Sequence, residues 1–137
     1  MALKQVCVFI ENKKGKISEV SILLYSNGID LRGLNMSEAK EFAILRLITQ
    51  DTTKACEVLK GARYVFSVNE VIAVRMVDEP GSMCNVLRIL SDEKVGIEYT
   101  YLIRNFDGEP YMVLRTDSEK QAEELLKNAG VELLSYE

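Results

Sequence analysis

Two short segments of this 137-residue chain have the makings of a site for a small charged ligand: Asn12-Lys13-Lys14-Gly15 and Asp78-Glu79-Pro80-Gly81. Each lies between an apolar run and an amphipathic one. A glycine at a strand-to-helix junction lets the backbone turn sharply, and the first helix N–H groups then point outward with the positive end of the helix dipole behind them. That geometry can receive a carboxylate. Little else proposes chemistry. The chain has no histidine, which removes the commonest general base and the commonest transition-metal ligand. Cys7, Cys56 and Cys84 lie far apart with no C-x-x-C spacing, and read as reduced, mostly buried small hydrophobes. No nucleophile motif or phosphate-binding loop is present, so no catalytic residue, metal or cofactor is expected.

The elements that must position these segments are bounded by composition. With 47% hydrophobic and 28% charged residues, the chain has material for one or two small cores and is not a disordered tail. No apolar run approaches the roughly 18–20 residues that span a bilayer, and Glu11 interrupts the first apolar stretch. A soluble, cytoplasmic protein without membrane partners is expected. The net charge is −4, with +3 on residues 1–68 and −7 on residues 69–137. An overall acidic chain argues against a grip on nucleic acid, and the opposed halves could help docking within the chain or across a dimer.

An internal repeat organises the rest. Gly15 and Gly81 are 66 residues apart, as are Asp51 and Asp117, and Ile17, Val20, Leu23 and Leu24 fall on Met83, Val86, Ile89 and Leu90. The first unit reads as a strand over Gln5–Glu11, a helix from Ile17 to Asn27-Gly28, a hairpin of Ile29–Ala39 and Phe42–Thr49, a helix over Thr52–Lys60 and a strand over Tyr64–Val68. The second repeats this with Ile72–Val77, Ser82–Asp92, Ile97–Asn105, Tyr111–Thr116, Glu119–Asn128 and Val131–Leu134. Ser118 and Gln121 have the spacing of a capping box. Two βαββαβ units result, an α+β ferredoxin-like arrangement of antiparallel sheets with the helices on one face, over 1–68 and 69–137. "FAILRLI" and "VIAVRMV" are apolar at both strand parities, which predicts strands covered on both faces and hence packing against another copy.

Each unit carries a strand, an acid- or amide-bearing turn, a glycine and a helix with an apolar residue two positions on, ending in Gly28-Ile29-Asp30-Leu31 or Gly96-Ile97-Glu98-Tyr99. This resembles the ACT family of small-molecule-sensing domains, marked by D/N-x-P-G-x-L after the first strand and G-I-N-I entering the second. It looks most like free-standing tandem ACT proteins; Lys14 stands where the family usually has proline. The resemblance implies an amino-acid site at Asn12, Lys14, Gly15, Lys16, Ile17, Asp30 and Leu31, or at Asp78, Gly81, Ser82, Met83 and Glu98, often formed across an interface. Tyr99 and Tyr101 share one strand parity and either wall a pocket or fill an interface between sheets. The first unit is the preferred site, because Asn12 and Asp30 offer one amide and one carboxylate to an ammonium group while Asp78, Glu79 and Glu98 crowd three carboxylates. The expected function is amino-acid-responsive regulation as a homodimer, acting on itself or on a metabolic enzyme or regulator; a structural module that docks on an enzyme is the alternative. A copper-carrying loop would need paired thiols, and an RNA-binding sheet would need aromatic residues on a basic face.

Overall fold

The computed structural model describes residues 3–105 and 107–134; the outermost residues of the two expected domains lie outside them. The described residues divide into two compact units, Lys4–Asn69 and Glu70 onward with Leu3. In the first, β1 (Leu3–Glu11), α1 (Lys16–Ser26), β2 (Leu31–Glu38), β3 (Phe42–Thr49), α2 (Thr52–Gly61) and the start of β4 (Val65–Arg75) follow in sequence. The strand order is β2-β3-β1-β4, and β3 pairs antiparallel with both β1 and β2. Alternate residues Val6, Val8 and Ile10 of β1 and Ala43, Leu45 and Leu47 of β3 share the face on which Val20 and Leu24 of α1 and Ala55 and Leu59 of α2 pack. The i, i+4 spacing in each helix puts both buried residues on one stripe.

The second unit repeats the plan with the end of β4, α3 (Ser82–Asp92), β5 (Ile97–Arg104), β6 (Pro110–Thr116) and α4 (Glu119–Asn128). Here β6 pairs antiparallel with β4 and β5. Val86 and Leu90, then Ala122 and Leu126, occupy the places of Val20 and Leu24, then Ala55 and Leu59. The α+β architecture expected from the repeat is the one observed.

Four local expectations change. First, the strands expected over Tyr64–Val68 and Ile72–Val77 are one strand, β4, running from Val65 to Arg75. Asn69 and Glu70, which stand between the two expected strands, belong to it. In the strand, the Asn69 carboxamide oxygen accepts from Gln5 Nε2 at 3.1 Å, and the Glu70 carbonyl accepts from the Arg115 guanidinium at 2.6 Å. Second, Val131–Leu134 is not a full strand; Leu133 makes a single bridge to Val74, flanked by Arg75 N–H to Glu132 O and Leu134 N–H to Ala73 O, both 2.9 Å. Third, Ser118 makes no side-chain cap on α4; the Glu119 carboxylate takes the Thr116 N–H at 2.8 Å instead. Fourth, the sheet parity facing away from the helices is unevenly covered: Gln5, Cys7, Ile48, Val71, Ala73, Tyr111 and Val113 are buried, whereas Phe9 and Phe42 are 38% and 46% exposed.

The repeat's bookkeeping also shifts. Leu31 pairs with Thr49 and Ile97 with Thr116, each just before an irregularity in the ladder. Asp30 O accepts from Gln50 N–H as Gly96 O accepts from Asp117 N–H, both at 3.0 Å. The counterpart of Asp30 is thus Gly96, not Glu98, and past the hairpin the offset grows by one residue, so that Asp51 corresponds to Ser118.

Candidate functional site

The two strand-to-helix loops have the same backbone. Lys13 N–H donates to Glu11 O as Glu79 N–H does to Val77 O, at 2.9 and 2.8 Å; Lys16 N–H to Lys13 O matches Ser82 N–H to Glu79 O, at 3.3 and 3.2 Å. Gly15 and Gly81 take φ values of 86° and 87° at the N-caps of α1 and α3, in the left-handed region that glycine enters without a Cβ penalty. Lys14 in place of proline leaves this turn unchanged. Neither glycine supplies a side-chain cap, so the first-turn amides have no intrahelical partner and the positive dipole end faces outward.

The side chains differ. In the first loop the Asn12 amide donates to Glu38 Oε1 at 2.9 Å, and Asn12 N–H donates to Glu41 O at 3.2 Å, tying the loop to the β2–β3 hairpin. Lys13 pairs with Glu11 at 2.8 Å and Lys16 with Glu19 at 3.1 Å. The Lys13 ammonium holds the Glu11 carboxyl below its ordinary range, by hydrogen bond first and then by charge, and Glu19 holds Lys16 above its own. In the second loop Asp78 and Glu79 line an open cleft of about 710 Å³, bounded also by Met76, Val77, Met83 and Leu102 and by the β5–β6 hairpin at Gly108–Pro110. The Ser82 hydroxyl accepts from Val77 N–H at 3.3 Å and fixes the strand's exit. A smaller cavity of about 470 Å³ shares Val77, Glu79, Gly81 and Ser82 and reaches Arg75 and Glu132.

The expected site residues fall into separate groups. Asn12, Lys14, Gly15, Lys16 and Ile17 gather at one end of the first unit. Asp30 and Leu31 stand at the other end of β2, because Asn12 meets Glu38, the last residue of that strand. Eight residues at about 3.3 Å each separate the two groups by roughly 25 Å. Asp30 pairs with Arg32 at 2.7 Å. In the second unit Asp78, Gly81, Ser82 and Met83 come together at the cleft, whereas Glu98 lies toward Arg115, 3.7 Å away, at the far end of β5. Tyr99 and Tyr101 stack with ring centroids 6.5 Å apart on the face away from the helices, opposite Arg115 and Val113. A joint use of Asn12 with Asp30, or Asp78 with Glu98, would need a second unit to supply the missing end. Leu102, Glu109 and Pro110 were not among the expected residues; Leu102 lies on an ordinary strand and only the hairpin's return brings all three to the loop.

Cys7 is buried, Cys56 partly so with its thiol pushed up by burial, and Cys84 is exposed; all are free. Among the described residues no group of three Cys, Asp or Glu is placed to hold a metal, and no helix is long and apolar enough to cross a membrane.

The fold recurs in solved structures. A protein from Bacteroides thetaiotaomicron is 35% identical over 98% of this chain and 92% of its own, with a TM-score of 0.89. The regulatory subunits of aspartate kinase from Thermus thermophilus and Thermus flavus share the fold at 11% and 12% identity, covering 94% and 95% of this chain and 93% and 94% of theirs, with TM-scores of 0.66 and 0.61. No curated protein matches the sequence. Residues 1–136 match the family of ACT domain pairs, and this chain belongs to that family.

Proposed function

We propose that this protein is a non-catalytic, cytoplasmic regulatory module that binds a free amino acid and passes its occupancy to a partner. The observation that carries this reading is the second loop, where an uncapped helix N-terminus and two acidic side chains share one open cleft. The helix end suits the ligand's carboxylate and Asp78 or Glu79 its ammonium group. The first loop is the lesser candidate, since its Asn12 amide is engaged by Glu38. The fold shared with aspartate kinase regulatory subunits supports a regulatory role, and a ligand can shift such a partner only through its differential affinity for two states. The test is calorimetry and thermal shift on the full chain with the twenty common amino acids at millimolar concentration. Binding that Asp78→Asn weakens at least tenfold and Asn12→Ala leaves within threefold supports the reading; the reverse order moves the site to the first loop. No response to any amino acid refutes it.

A second reading concerns assembly. Leu34, Met36 and Phe42 are 43%, 48% and 46% exposed beside β2, the edge strand of the first unit. An open edge with apolar neighbours is a pairing surface, which favours a homodimer or a structural docking role on a metabolic enzyme. Light scattering at micromolar concentration separates monomer from dimer, and Leu34→Lys with Met36→Lys should dissociate a dimer formed there.

A further inference from the structure

We infer that the cleft beside the second loop selects amino acids with an extended apolar side chain; this rests on the amino-acid reading above and adds the ligand's class. Val77, Met83 and Leu102 are 57%, 43% and 53% exposed, and all three line the cleft with Met76 and Pro110. Leu102 lies opposite Met112 in the ladder, so it belongs to the parity that faces the helices, yet Met112 is buried in the core and Leu102 is not. The methionines supply flexible, polarizable wall that conforms to an aliphatic chain. A volume of about 710 Å³ lies within the range of small-ligand sites, about 300–1,000 Å³.

The acidic rim narrows the class. Glu109 is held 3.5 Å from Arg75, whereas Asp78 and Glu79 pair with no basic group among the described residues. They attract one ammonium group and repel an acidic side chain. A lysine side chain extended along the apolar wall would give up hydration of its ammonium there, a cost that norleucine, with the same four-carbon chain, does not carry. At the corresponding places the first unit has Glu11 for Val77, Ile17 for Met83 and Met36 for Leu102.

The test is titration calorimetry on the full chain with a methylene series: glycine, alanine, 2-aminobutyrate, norvaline and norleucine, with lysine and aspartate alongside. Each added methylene should tighten Kd about fourfold, and norleucine should bind more tightly than lysine or aspartate. A flat or reversed series, or tighter binding of lysine or aspartate, overturns the apolar class while leaving amino-acid binding in place. Failure of every amino acid to bind removes both. Leu102→Asp, at an exposed position whose fold circular dichroism can verify, should weaken norleucine at least tenfold and alanine less than threefold, while Ile22→Asp, at an exposed apolar position of α1, changes neither. Loss of norleucine binding in Asn12→Ala with Leu102→Asp unaffected would overturn the assignment to this cleft.

Discussion

The first loop carries Glu11 and three lysines, Lys13, Lys14 and Lys16; the second carries Asp78, Glu79 and Pro80 on a backbone with the same hydrogen bonds and the same glycine conformation. The turn is therefore set by the left-handed glycine and the strand and helix it joins, and is indifferent to whether lysine or proline precedes it. What changes is use. In the first unit Asn12 and Glu38 latch the loop to the hairpin; in the second the hairpin end and Leu102 leave an apolar cleft against Asp78. Two copies of one backbone can thus be assigned a tethered role and a receiving role by a handful of side chains.

The comparison breaks most visibly in the cores if the units are not equivalent. Leu24 and Leu90 are both fully buried, each one turn beyond a buried valine, Val20 or Val86. Leu24→Ala and Leu90→Ala should each cost about 2–5 kcal/mol through lost transfer energy and an unfilled cavity. Chemical denaturation reads this, and a difference above about 2 kcal/mol between them would show that one core tolerates collapse and the other does not.

A smaller effect sharpens the contrast between the second helices of the units. Asp51 accepts the Lys54 N–H at 3.0 Å and caps α2, whereas Ser118, in the same place before α4, accepts no helix N–H. Asp51→Ala should cost about 1 kcal/mol, and Ser118→Ala less than about 0.5 kcal/mol. Equal losses in thermal melts would mean that Ser118 caps in solution after all.

Much of this is legible in the sequence, and the exceptions have physical causes. The apolar periodicity placed α1 and α3, since Val20, Leu24, Val86 and Leu90 recur at helical spacing, and the glycines at 15 and 81 marked the turns. The entry to the second strand misled. Gly28, at φ 75°, ends α1 in the left-handed region, and the matching position in the second unit is Lys94 at φ 57°, a residue with no sequence mark for that conformation. Gly96, which spells the same Gly-Ile pair, is glycine for another reason: a Cβ there would meet Asp117 Oδ2 at 2.8 Å. Two causes produced one motif, two residues out of register. The one-residue growth of the offset arises between β5 and β6, where loop length is free to vary. Asn12 and Asp30 were grouped because both suit an ammonium ligand, but a strand's length is a distance, and β2 holds them at its two ends. The cleft depended on Leu102, Glu109 and Pro110, a juxtaposition that only the paired hairpin creates.

The smallest effect concerns the same second-helix start. Burial pushes the Glu119 carboxyl above its ordinary value, opposed in part by the Thr116 N–H and by Arg115. One oxygen accepts from Thr116 N–H while the other, Oε2, is buried without a partner. A carboxyl whose folded pKa is raised binds its proton more readily folded than unfolded, so its contribution to stability is largest in acid and falls as pH rises through the folded value. At neutral pH the ionised group therefore costs stability. Glu119→Gln keeps an acceptor for Thr116 and stands in for the protonated form, at the loss of the 3.8 Å approach to Arg115. The variant should melt slightly above the native protein at pH 7, by on the order of 1–3 °C for a change of a few tenths of a kcal/mol, with the gap closing toward pH 4. Comparing the two proteins at each pH cancels the other carboxylates. A variant less stable at pH 7 than at pH 4, relative to the native chain, would show that Arg115 and Thr116 outweigh burial at this position.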